Sequence, residues 1–121
     1  MEKLSEDLKN AITKIKPAMV ATVNSAGQPN VSPKGSLRVL DDQHLAFAEI
    51  RSPQTINNLR ENPQVSMIGF DPPTRKGWRV WGKMEEILTS GDLYEQFSSD
   101  YAGTGKVNYV ATILVQEGIV F

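Results

Sequence analysis

Leu4, Leu8, Ala11, Ile12 and Ile15 recur at helical spacing near the start of the chain, with Glu, Asp and Lys between them. This helical spacing predicts an amphipathic helix over about residues 2–15, ended by Pro17. From Ala18 the period shortens to two. The run "AMVATVNSAGQPNVSPKGSLRVL" carries two β-rich segments around Asn24-Ser25-Ala26-Gly27, a hairpin-like turn. Asp41-Asp42-Gln43 makes a second turn, and "HLAFAEI" is a third strand. A short helix follows Pro53, with Ile56 and Leu59 on one side, and stops before Pro63. "QVSMIGF" is a fourth strand, broken by Asp71-Pro72-Pro73-Thr74; "GWRVWGKMEEIL" is a fifth, bent at Gly82. Gly91 to Tyr101 reads as a helix and "VNYVATILV" as the last strand. Six short strands punctuated by helices predict a single mainly-β domain, a small barrel over about residues 18–116.

Three stretches carry candidate chemistry. At "EIRSPQT" a strand runs into Arg51-Ser52-Pro53, and a helix starts at once. Ser52 suits an N-cap and Pro53 suits the first helical position, and neither needs a ligand. A helix start, however, carries partial positive charge and free N–H groups. Arg51 adds a full charge able to grip a phosphate, and Thr55 a hydroxyl at a position where Glu would repel an anion. Acidic residues are missing from this first turn, which tilts the reading towards an anion site. In "NVSPKGSLRV", Pro33 and Gly35 flank Lys34 inside an expected strand. Either a β-bulge bears a solvated lysine there, or something approaches the backbone. In "RKGWRVWGK", Trp78 shares a face with Val80 and Gly82, and Trp81 shares the other with Arg79 and Lys83. One tryptophan fills the core; the other lies among cations, open to packing against a second subunit or stacking on a flat ring.

Composition narrows the classes. The 121 residues are 40 % hydrophobic and 22 % charged, an ordinary globular balance for one domain. A net charge of −1 gives no general field for nucleic acid or anionic membrane, so any anion site is local. Without cysteine and with His44 alone, thiolate and histidine-rich metal sites are excluded. No apolar run approaches the roughly 20 residues that cross a bilayer. "MEKLSEDLKN" does not read as a signal peptide, so a cytoplasmic location is the expectation.

The segments "MVATVNSAGQPNVSP", "LAFAEIRSPQTINNLRENPQVSMI" and "GWRVWGKMEEI", in that order and spacing, resemble the pyridoxamine 5′-phosphate oxidase-like, FMN-binding split-barrel proteins. The similarity covers about residues 18–88 and, more loosely, the last strand. It implies a six-stranded antiparallel split barrel that forms a homodimer with FMN in grooves at the interface. Carried over to this chain, Arg51, Ser52 and Thr55 would hold the phosphate, with Asn58 one turn along facing the ligand. Ser32, Pro33, Lys34 and Gly35 would run beside the isoalloxazine ring, and Ala48, Glu49 and Ile50 would line its other edge. Trp78 or Trp81 would close the partner's site. Lys34 near the ring's N1 and C2 carbonyl would favour reduction. The pattern departs from the family at Gln54, where many relatives carry a basic residue. The chain ends at "ILVQEGIVF", without the arginine- and histidine-bearing substrate segment of the oxidase itself. The resemblance therefore implies an FMN-dependent oxidoreductase or electron carrier with no assigned substrate. The alternatives are a flavin-binding or storage protein without turnover, and a split barrel that takes a deazaflavin or haem.

Overall fold

The computed structural model describes residues 4–121. Helix α1 spans Glu6–Lys14, with the Ser5 hydroxyl accepting from Leu8 N–H at 3.1 Å as its cap. Glu6 and Asp7 at its start and Lys14 at its end complement the helix dipole. The expected start near residue 2 lies outside the described residues, and Leu4 and Ser5 already precede the helix. The buried face, Leu8 and Ile12, packs into the main core.

Seven strands follow, one more than the sequence predicts. They are β1 (Ala18–Val23), β2 (Pro29–Lys34), β3 (Arg38–Val39), β4 (His44–Glu49), β5 (Gln64–Asp71), β6 (Lys76–Leu88) and β7 (Tyr109–Val120). Helix α2 (Pro53–Glu61) joins β4 to β5, and α3 (Asp92–Asp100) joins β6 to β7. The extra strand comes from a break in the second β-rich run. Its first half pairs with β1, whereas Arg38 and Val39 pair with Ala46 and Leu45 of β4. Residues 35–37 carry the chain between them. The last strand also runs past the expected end, since Val120 pairs with Trp78 and Ile119 with Arg79.

All neighbouring strands are antiparallel, in the order β2-β1-β5-β6-β7-β4-β3. The two edges, β2 and β3, are consecutive in the chain. From Lys34 to Arg38 the backbone reaches at most roughly 14 Å, but the edges of a flat sheet of this size would stand about 29 Å apart. The sheet must therefore curl until its edges face each other, and no ladder joins them. This is a barrel split along one seam. Along β6 the register slips between Trp81 and Gly82, where the bend was expected, and again between Met84 and Glu86.

Side-chain alternation fills the interior with Val20, Leu45, Phe47, Met67, Trp78, Val80 and Ile113. A smaller cluster outside the curl, Ala46, Ala48, Val107 and Val110 around Phe97, holds α3 against β4 and β7. Among the described residues no helix is long and apolar enough to cross a membrane.

Candidate functional site

At one end of the seam, β2, β4 and the turn after α3 enclose a groove of about 260 Å³. Pro33, Lys34, Gly35 and Ser36 line it from the β2 side, Ala48 and Ile50 from the β4 side, and Tyr101 and Thr104 from the turn after α3. The strand segments singled out from sequence, Pro33–Gly35 and Ala48–Ile50, thus meet across the seam. Ser36 helps to hold them together, its hydroxyl accepting from Ala48 N–H at 2.9 Å. Tyr101 and Thr104 were not anticipated. The sequence "SSDYAGTGK" signals only a helix end and a loop, and the return of that loop over β4 is a tertiary fact. Two contacts fix it: Arg51 Nη2 donates to Thr104 O at 2.8 Å, and Tyr94 Oη donates to Val107 O at 2.7 Å. Gly105, at φ 158°, passes so close to Ile50 that an added Cβ would meet its Cγ2 at 3.0 Å.

The start of α2 differs from a simple capped helix. Pro53 occupies the first turn, but the Ser52 hydroxyl makes no cap. It accepts instead from Lys34 Nζ. The side chain of Glu49, 2 % exposed, accepts Ser52 N–H at 2.7 Å. Glu49 therefore turns into the barrel on the same face as Leu45 and Phe47, rather than lining the groove edge with Ala48 and Ile50. Lys34 is 5 % exposed and lies over the Phe47 ring, with Nζ 5.5 Å from its centroid. Burial pulls its pKa below the ordinary lysine value, while the nearby Glu49 carboxylate opposes that shift. The solvated lysine considered from sequence is thus a buried one that touches the groove.

The remaining predicted positions divide. Ser32 and Thr55 share a buried hydroxyl–hydroxyl hydrogen bond of 2.8 Å beneath α2. Asn58 Nδ2 donates to Thr22 Oγ1 at 3.1 Å, and Asn58 Oδ1 accepts from Gln54 Nε2 at 2.7 Å. Asn58 borders a separate amide-lined hollow with Asn24, Gln28 and Asn30. These three residues knit α2 to β1 and β2, outside the groove lining. Trp78 is fully buried, and its indole N–H donates to Ile15 O at 3.1 Å. It is the core tryptophan and cannot close a partner's site. Trp81, 36 % exposed, lies on the outer face with Arg79, 5.8 Å from the guanidinium carbon to the ring centroid. There it borders a hollow of about 340 Å³ with Met19, Val31 and Ile68. This larger hollow is mainly apolar, and among the described residues its one ionisable lining residue is Arg79. The groove, with Lys34 in its wall and Arg51 at its rim, is the better place for chemistry.

Among the described residues no group of three or more metal-ligating side chains gathers. His44 stands apart from the groove, bridging Asp41 and Glu85 at 2.9 Å each.

Comparison with known proteins agrees with this architecture. The family model described as pyridoxamine 5′-phosphate oxidase matches residues 4–114. HupZ of Group A Streptococcus is 32 % identical, with 97 % of this chain and 93 % of that one covered and a TM-score of 0.85. An FMN-binding protein from Syntrophomonas wolfei superposes at a TM-score of 0.88 with 15 % identity, covering 97 % and 85 % of the two chains. HutZ, a haem storage protein from Vibrio cholerae, does so at 0.69 with 20 % identity, covering 99 % and 95 %. The last two likenesses are of fold alone. Comparison with curated protein sequences gives no match. With the family model spanning nearly the whole chain and a split barrel built around a seam groove, this protein belongs to the pyridoxamine 5′-phosphate oxidase family of split-barrel proteins.

Proposed function

We propose that the chain binds FMN across the seam groove and serves as an FMN-dependent oxidoreductase or electron carrier. The observation that carries this reading is the groove itself. It lies between Pro33–Ser36 and Ala48–Ile50, with a lysine in the wall and Arg51, bound to Thr104 O, at the end where α2 begins. FMN fits that donor set. The ring would lie against backbone and small side chains, with Tyr101 beside it. The phosphate would meet Arg51, whose guanidinium spends one N–H on Thr104 O and has others to offer. The Ser52 hydroxyl, with Lys34 behind it, stands next to it in the chain.

Bound FMN would supply hydride or electron transfer, and the protein position and electrostatics. Lys34 would place a positive charge beside the ring. The groove, at about 260 Å³, falls below the roughly 300–1,000 Å³ of typical ligand pockets. One protomer therefore offers part of a site, and a homodimer would complete it. Trp81, on the outer face, can reach a groove only from a second protomer. Haem is less well served, because the chain's single histidine is engaged by Asp41 and Glu85 away from the groove.

Fluorescence titration with FMN and riboflavin tests the reading. Arg51→Ala should weaken FMN by about one to two orders of magnitude, the worth of one charge-assisted contact. Riboflavin, which lacks the phosphate, should bind as before. Failure of the unaltered protein to bind either flavin overturns the proposal. Steady-state oxidation of a nicotinamide by the loaded protein then separates turnover from simple carriage.

A further inference from the structure

An anion seat at a helix start depends on unspent backbone N–H groups, and α2 has few. Ser52 N–H is held by Glu49, Pro53 has none, and Thr55 N–H donates to Ser52 O at 3.1 Å. Three of the four residues Ser52–Thr55 thus offer no backbone donor outward. Glu49 is also a carboxylate, so the positive end of the helix already faces an anion belonging to the protein. The first turn of α2 contains no acidic residue, and Glu49, three residues before Ser52 and approaching from the end of β4, takes that place.

We propose that Glu49 is an internal occupant of the anion seat at the start of α2, making the groove select its ligand by the ring far more than by the phosphate. The proposal rests on the flavin reading above and specifies how that site discriminates. A ligand phosphate at Arg51 must approach a buried carboxylate across the same short turn, with the Lys34 ammonium offsetting only part of the repulsion. Charges in a partly buried setting interact strongly enough for this to alter affinity by orders of magnitude. Arg51 and the Ser52 hydroxyl are left as the phosphate's side-chain anchors, with the helix amides withheld. Glu49 therefore acts as a specificity-determining residue that lowers the advantage of phosphorylated over unphosphorylated ligands.

Two measurements decide it. In Glu49→Gln, the ratio of FMN to riboflavin affinity should rise by roughly ten- to a hundredfold over the unaltered protein. Riboflavin affinity should stay put. An unchanged ratio overturns the proposal. The second measurement needs no variant and no flavin: backbone amide resonances of the unaltered protein are followed as inorganic phosphate is added against chloride at matched ionic strength. The Ser52 amide should keep its position, locked on Glu49, while Arg51 responds. A Ser52 amide that moves with phosphate as much as Arg51 does would mean that Glu49 yields the seat, and would overturn the proposal even if Glu49→Gln failed to fold. Absence of flavin binding in the unaltered protein would remove the flavin reading alone, because the phosphate measurement still tests Glu49.

Discussion

Individual side chains here are best understood by which face of a strand they occupy. Glu49 follows Leu45 and Phe47 at intervals of two, so the parity that places those residues in the core places Glu49 there too. That was legible in "HLAFAEI", but the family resemblance assigned Ala48, Glu49 and Ile50 together to the groove edge. Parity also separated Trp78 from Trp81, although only the built sheet says which face is inside. Thr55 was singled out as a hydroxyl at the start of α2 and Asn58 through the family resemblance; their partners Ser32 and Thr22 are 23 and 36 residues away, beyond local reasoning. His44 has a use of its own. The hydrogen bond to Asp41, and after it the contact with Glu85, raises its pKa above the ordinary 6.5 despite partial burial. Hydrogen bonds from Gln43 and His44 hold Asp41 below its ordinary 3.8. A raised folded-state value stabilises the fold fully below pH 6.5 and ceases to do so as pH rises through that value. The Asp41 part is lost in turn as pH falls below 3.8. Stability should thus decline by about 0.5–1 kcal/mol between pH 6 and 8.5, the worth of a well-formed surface pair. In His44→Gln that slope should vanish, as read by denaturant unfolding across the range.

Elements were legible where a period ran for several residues without interruption. Helix α3 lies at Asp92–Asp100 within the expected 91–101, and α2 ends at Glu61, just ahead of Pro63 as expected. What failed was the stretch after Lys34, because a chain that changes partners keeps its β-like composition while its hydrogen bonds move to the other edge of the sheet. The end of β7 was missed for a related reason: "QEG" looks like a stop, yet Glu117 pairs with Trp81 and Gly118 with Val80. The bend in β6 was visible as a glycine, and the structure shows why glycine is needed there. A Cβ on Gly82 would fall 2.6 Å from Ile113 Cγ2 and 2.7 Å from Leu114 O. The backbone carbonyl cannot rotate away as a side chain can. Gly82→Ala should therefore cost about 1–3 kcal/mol, the usual penalty of overpacking, with the loss appearing in the midpoint of chemical unfolding. If its stability equals that of the unaltered protein, β6 and β7 part easily enough to admit a methyl group.

For the whole molecule, the outer face of β2, β1, β5 and β6 remains to be matched. Val31 is 57 % exposed, and with Met19, Ile68 and Trp81 it makes a mainly apolar surface on a chain of this size. If the proposed homodimer forms there, Trp81→Glu should place a charge in its centre and shift the species in light scattering from two chains to one. FMN affinity should fall with it, because each protomer then keeps only its own part of the groove. A dimer untouched by this change would put the interface elsewhere. The open seam carries a different consequence. The groove's walls lie on opposite sides of it, joined in the chain by residues 35–37 and in space by the Ser36–Ala48 contact. A molecule seated between them acts as a clasp on a rolled sheet. The width of the slot is set by how tightly the sheet is rolled, and can vary without breaking a single rung between strands. Occupancy would then be felt around the whole roll: amide exchange should slow along the exposed margins of β2 and β3 when the slot is filled, far more than at the centre of β6, where both sides are already paired.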